Sequence, residues 1–139
     1  MPGYFRPGAA GDAGSGDAAR PAVPADPHAA TLVAEGSEQP ARPGSGPPII
    51  GAVLARVYDT PSDPTMVPRR RAHVEALVVD QAHRRAGVGT ALMKAVTAWA
   101  RERGAVEVVL TVWAGNQAAE AFYQRLGYQV VSRAMARPV

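Results

Sequence analysis

The stretch VEALVVDQAHRRAGVGTALMKAVTAW, residues 74–99, decides the fold. Its first six residues, half of them valine and apolar except for Glu75, have the composition of a strand. From Arg85 to Arg103 the period becomes helical. Val88, Leu92, Ala95 with Val96, and Trp99 recur at i, i+4, i+7/8 and i+11, and Gly104 stops the run; that spacing makes one apolar stripe along a helix. Between strand 73–80 and this helix lies a turn carrying Gly87 and Gly89.

The turn has a chemistry of its own. Its glycines permit unusual backbone angles and let another group approach the main chain closely. The free N–H groups of a helix start, with the helix dipole behind them, favour an anion. Arg84 and Arg85 add fixed positive charge beside those donors. Together these features describe a pyrophosphate cradle. A Walker A loop would need Gly-Lys-Ser/Thr, which does not occur, and a dinucleotide-binding fingerprint would need glycine at position 92, where Leu stands. Two glycines alone also suit a strand-to-helix turn that binds nothing.

Downstream, VEVVLTVW at 106–113 is a strand with apolar residues on both faces, which predicts an interior strand covered on both sides. Asn116 opens a second helix with Ala118, Phe122 and Leu126 on one face and Gly127 at its end, and YQVVSRAM reads as a last strand. Upstream, IIGAVLARVYDT at 49–60 is a strand bounded by prolines, and ATLVAEG at 30–36 is a shorter one. The segment between them, 37–48, has loop composition. Residues 1–29 are Gly, Ala, Pro and Asp with few large apolar side chains, too few to offset the entropy of ordering, so disorder is expected there. The remainder, 30–139, is one mixed α/β domain.

Composition narrows the function classes. At 139 residues there is room for one domain. The absence of cysteine removes disulfides, thiolate metal sites and a cysteine nucleophile. No apolar run approaches the roughly 18 residues needed to span a membrane, and the N-terminus lacks the apolar core of a signal peptide; a cytoplasmic protein is expected. Residues 1–48 hold three arginines against five acids, and residues 49–139 hold twelve basic side chains against seven acids. The basic portion could meet nucleic acid, an anionic membrane or a phosphorylated cofactor, and charge alone does not choose among them; a nucleic-acid reading lacks a recognition helix and basic-aromatic interleaving.

Two motifs in this order carry a resemblance. Arg84-x-x-Gly87-x-Gly89, after an apolar strand and running into a helix, resembles the R/Q-x-x-G-x-G/A motif of the GNAT family of N-acetyltransferases. TVWAGNQAAEAFYQRLGY at 111–128 resembles that family's second conserved region: Asn at a helix start, a Phe-Tyr pair, then Leu-Gly-aromatic. The resemblance covers roughly residues 49–139. It implies a mixed central sheet of the acyl-CoA N-acyltransferase type, N-terminally incomplete because the family's first strand and two helices have no counterpart before residue 30. Either the reading frame is truncated or the chain completes its site another way. The chain departs from the pattern at Arg85, where Gly is frequent, and at Gln81, where Pro is frequent.

The resemblance also implies the activity: transfer of an acetyl group from acetyl-CoA to a primary amine of a small molecule or peptide by direct attack. The alternative is a non-catalytic acyl-CoA-binding or regulatory module. The pantetheine arm would lie between parallel strands 73–80 and 106–113, held by backbone groups of Leu77, Val78 and Val79. Arg84, Arg85, Ala86, Gly87, Val88, Gly89 and Thr90 would take the pyrophosphate, and Asn116 the cofactor arm. Asn116 is equally a helix N-cap. Tyr123 would protonate the leaving thiolate, and Glu75 would accept the amine proton. A core tyrosine and a solvated strand carboxylate are the plainer readings of the same two residues. His73 is a second candidate base, His83 a loop residue beside the phosphate site, and Arg69, Arg70 and Arg71 a charge run that could meet the 3′-phosphate of CoA. No metal, nucleic acid or membrane is expected as a partner, and a homodimer is left open.

Overall fold

The computed structural model describes residues 3–5, 19–21, 26–36, 43–44, 46–60, 65 and 67–139. Among these residues six strands form one mixed sheet: β1 (Gly3–Phe5), β2 (Ala19–Pro21), β3 (Ala29–Glu35), β4 (Ile49–Asp59), β5 (Arg70–Val79) and β6 (Glu107–Leu110), in the order β2-β1-β3-β4-β5-β6. Pairing is antiparallel for β3–β4 and β4–β5 and parallel for β5–β6. Helix α1 (Val88–Glu102) crosses from β5 to β6, and α2 (Gln117–Arg125) follows β6. The disorder expected over 1–29 falls largely outside the described residues. Within that stretch, Gly3–Phe5 and Ala19–Pro21 are strands, and Ala29 begins β3.

The core lies between α1 and one face of the sheet. The stripe anticipated from the sequence (Val88, Leu92, Ala95, Val96 and Trp99) is buried, joined by Met93 and Ala100. Facing it are Leu32 and Ala34 of β3, Val53, Ala55 and Val57 of β4, and Ala72 and Val74 of β5. Side chains alternate across a strand, so every second residue of β3 and β4 meets the helix. Each of the buried Val, Leu and Met side chains contributes roughly 1.5–3 kcal/mol, which makes this layer the platform for everything attached to it.

Arg70 closes one end of the platform. Its Nε and Nη2 donate to both oxygens of Asp59 at 2.9 and 3.1 Å, and its Nη1 donates to the carbonyl of Arg103 at 3.1 Å. The fork thus ties the end of β4, the start of β5 and the end of α1.

Two expectations are corrected. Strand β6 is the sheet's edge, not an interior strand, and it spans only Glu107–Leu110. Its apolar neighbours Val106 and Trp113 are exposed. The cause lies downstream, where residues 128–139 form no strand and Val131 and Met135 stand 84% and 96% exposed. No strand from the described residues covers the free side of β6. A β-rich composition specifies a willingness to pair, while the partner depends on long-range closure.

Candidate active site

Strand β5 outruns β6. The two pair only from Arg71 with Glu107 to Val74 with Leu110. Beyond that point, Glu75 to Val79 has no strand on the β6 side among the described residues, and its backbone groups form an open edge. On its other side β5 pairs with β4 throughout, with one irregularity. Val74 pairs with Ala55 and Ala76 with Leu54, so Glu75 is an extra residue, a β-bulge. The bulge reverses the alternation. Ala72 and Val74 are buried before it, and Leu77 and Val79 pack on the same core after it. The segment Leu77, Val78, Val79 expected to meet a cofactor arm therefore lies on the unpaired edge.

The glycine turn follows. Asp80 donates its N–H to Ile50 O at 2.7 Å. A 3₁₀ turn over Gln81–His83 comes next, with His83 Nδ1 2.8 Å from Asp80 Oδ2. Arg85 then adopts φ +69° and Gly87 φ +82°. Glycine enters this left-handed region freely, whereas a side chain pays about 1–2 kcal/mol of strain. Helix α1 starts at Val88, three residues later than the periodicity suggested, because these two left-handed residues precede it. The first helical bond runs from Ala91 N–H to Gly87 O, so the N–H groups of Val88, Gly89 and Thr90 precede the ladder. No side chain among the described residues caps this end, and the first turn holds no acid. Arg84, Arg85 and Ala86 are exposed around it, and neither arginine is in an ion pair among the described residues. These donors and charges suit a pyrophosphate, and the open β5 edge beside them suits an amide-rich arm.

Helix α2 is anchored by Asn116, whose Oδ1 accepts the N–H of Ala119 at 3.2 Å. The cap leaves the side-chain amide of this exposed residue unengaged among the described residues. Phe122, Tyr123 and Leu126 are half-buried against the core, while Ala118, expected on their face, is exposed. The Tyr123 ring meets Phe122 and Tyr128 edge-on, at centroid distances of 5.1 and 5.7 Å. Burial pushes the Tyr123 hydroxyl above its ordinary pKa, and among the described residues no hydrogen bond offsets the shift. That hydroxyl stays protonated throughout the neutral range. Burial raises Tyr128 as well, with the Thr97 hydroxyl pulling it partly back.

Glu75 projects from the bulge, exposed, with Oε1 3.6 Å from Arg56 Nε. His73 is half-buried and sits opposite Arg56 in the β4–β5 ladder. The run Arg69–Arg71 is largely committed elsewhere: Arg70 to Asp59 and Arg71 to Glu107, at the end of β5 away from the turn. Nine strand residues at about 3.3 Å each separate Arg70 from Val79, roughly 30 Å.

The structure thus brings together the cradle, the open edge and α2. Gly89 is the joint, because a β-carbon there would stand 3.2 Å from Phe122 Cζ and 3.7 Å from Val79 Cγ2. Sequence reasoning missed Arg56, Asp26 and Tyr128 as neighbours of the site residues. Tyr128 was visible as the aromatic after Leu126-Gly127, but nothing local marks Arg56 or Asp26. Among the described residues there is no group of three or more His, Cys, Asp or Glu arranged to hold a metal. No helix there is long and apolar enough to cross a membrane.

Known proteins resemble this chain in sequence and in fold. The model of the acetyltransferase (GNAT) family matches residues 15–128, beginning well before the motifs that carry the sequence resemblance. Human N-acetyltransferase 8 is 36% identical over 81 residues, 58% of this chain and 34% of its own length. N-alpha-acetyltransferase 30 of Schizosaccharomyces pombe is 34% identical over 79 residues, 57% of this chain and 49% of its own. The chain spans about a third to a half of the length of these relatives. Among solved structures, a tetramutant of the BH1408 protein of Bacillus halodurans superposes with TM-score 0.71 at 23% identity, covering 81% of this chain and 67% of that one. An aminoglycoside 6′-N-acetyltransferase of Acinetobacter haemolyticus gives TM-score 0.64 at 23% identity, covering 83% and 72%. Because the family model covers most of its length, this chain belongs to the acetyltransferase (GNAT) family.

Proposed function

We propose that this protein is an N-acetyltransferase that takes its acetyl group from acetyl-CoA and delivers it to a primary amine of a small molecule or peptide by direct attack. The observation that carries this reading is the adjacency of two unsatisfied sets of backbone groups: the β5 edge beyond Val74 and the uncapped start of α1. Acetyl-CoA, when bound, supplies an activated acyl carbon and a thiolate leaving group. The N–H groups of Val88, Gly89 and Thr90, with Arg84 and Arg85, hold the pyrophosphate. Ala86 and Gly87 shape the turn that presents them, and Asn116 meets the arm with its free amide. The edge of Leu77, Val78 and Val79 orients the arm and polarises the acyl carbonyl. Glu75, at the bulge, accepts the amine proton through water, and Tyr123 donates its proton to sulfur.

Helix α1 covers one face of the sheet, so the amine arrives from the other face or along the open edge. The related N-alpha-acetyltransferase and aminoglycoside acetyltransferase carry amine acceptors in their names, which supports a primary amine without choosing between peptide and small molecule.

Calorimetry with CoA, followed by transfer assays against amine, amino-acid and peptide libraries, tests this function. Micromolar CoA affinity and turnover with at least one amine are expected. Tight CoA binding with no turnover on any amine would instead establish an acyl-CoA-binding module, and absence of CoA binding would overturn both.

A further inference from the structure

We propose that Arg56 is the positioning residue of the Glu75 carboxylate and that Asp26 fixes Arg56 in turn. The inference rests on the proposed role of Glu75 as proton acceptor. A bulged residue has no cross-strand partner, and Glu75 is the residue that the β4–β5 ladder skips. The ladder therefore does not dictate where its carboxylate sits. The constraint comes from Arg56, whose neighbour Ala55 pairs with Val74 beside the bulge. Arg56 uses different nitrogens for two carboxylates: Nε lies 3.6 Å from Glu75 Oε1, and Nη1 donates to Asp26 Oδ2 at 3.1 Å.

Asp26 is itself held. Its Oδ1 accepts the His28 N–H at 2.8 Å, its carbonyl accepts the Ala29 N–H at 3.1 Å, and the His28 carbonyl accepts the Val57 N–H at 2.7 Å. The turn before β3 is thereby pinned to β4, one residue from Arg56. Three residues from three elements converge on the bulge.

Stability does not account for the arrangement. The side chains of Arg56, Asp26 and Glu75 are 51%, 43% and 47% exposed, and ion pairs this open contribute little to folding. What such a bridge supplies is orientation by charge: Arg56, hydrogen-bonded to Asp26, keeps a positive charge 3.6 Å from the Glu75 carboxylate and favours the rotamers that turn it toward Arg56. The cluster sums to one negative charge, with His73 opposite Arg56 in the ladder and His28 beside Asp26. A protonated amine approaching the bulge meets a net attractive field.

The test is a set of variants assayed for kcat, KM, CoA affinity and thermal midpoint. Arg56→Met should lower kcat by up to about 10²-fold, the scale of a misplaced reacting group, with CoA Kd and Tm unchanged. Arg56→Lys should restore part of the loss, and Asp26→Asn should reproduce it in smaller measure. In a Glu75→Gln background, Arg56→Met should have no further effect, since residues acting as one unit are not additive. Additive losses, or full kcat in Arg56→Met, would overturn the positioning role while leaving Glu75 in place. Full kcat in Glu75→Gln would remove Glu75 from the mechanism and the positioning role with it.

Discussion

Gly89 lies so close to Phe122 that a β-carbon on it would stand 3.2 Å from the ring's Cζ. A glycine in the first turn of α1 is thus also the seat of α2, and the cradle and the Tyr123 hydroxyl share one packing contact. Gly89→Ala should displace Phe122, and Tyr123 with it, by a few tenths of an ångström. The gain in helix propensity, about 1 kcal/mol, offsets much of an overpacking cost of about 1–3 kcal/mol, so Tm should move little. Turnover should fall severalfold more than CoA affinity, and Phe122→Leu should restore part of it. An unchanged kcat would show that α2 tolerates the shift.

Arg85 is the non-glycine residue with positive φ among the described residues, at +69°. Arg85→Gly removes about 1–2 kcal/mol of left-handed strain against an entropic cost of about 0.5–1 kcal/mol. Denaturation curves should show stability equal or slightly raised. CoA affinity should fall severalfold through the lost charge, and the deficit should shrink as salt rises. Unaltered affinity at low salt would take Arg85 out of the cradle.

Tyr123→Phe removes a hydroxyl and keeps the ring that meets Phe122 and Tyr128. A positioned acid contributes about 10²- to 10⁴-fold, so kcat should fall by that factor while CoA affinity holds. The loss should narrow with a donor whose thiol has a low pKa. Because burial holds the hydroxyl's pKa above its ordinary value, wild-type kcat should show no alkaline decline from this group until well above pH 9. Normal kcat in the variant would leave Tyr123 as a packing residue.

Asp59 titrates in the acid range. The hydrogen bonds from Arg70 hold its carboxyl below the ordinary carboxylate value. A depressed pKa adds stability that is fully present above the unfolded value, about 4, and is lost as pH falls through the lower, folded value. Asp59→Asn should therefore lower Tm slightly at pH 6, as expected of an exposed but two-pronged pair, and flatten the decline of Tm as pH falls below about 4. Parallel curves for variant and wild type would show that the Arg70 fork does not couple to folding.

Consecutive residues were enough for α1. Val88, Leu92, Val96 and Trp99 announce one buried stripe, and all are buried, because a helix's apolar face is set by spacing within the chain. The strand at 73–80, the glycine turn and the Asn116 cap were legible for the same reason: each is a property of a few adjacent residues. Non-local closure decided the rest. HVEALVVD shows no sign that Glu75 is the skipped residue, since a bulge exists only against a partner strand's register. VEVVLTVW has the composition of an interior strand yet lies at the edge, because YQVVSRAM supplies it no partner. Arg69–Arg71 look available in sequence, but Asp59 and Glu107, distant along the chain, engage two of them. Arg56 stands 30 residues from Asp26 and 19 from Glu75, a convergence that no local pattern encodes because pairing across strands brings it about.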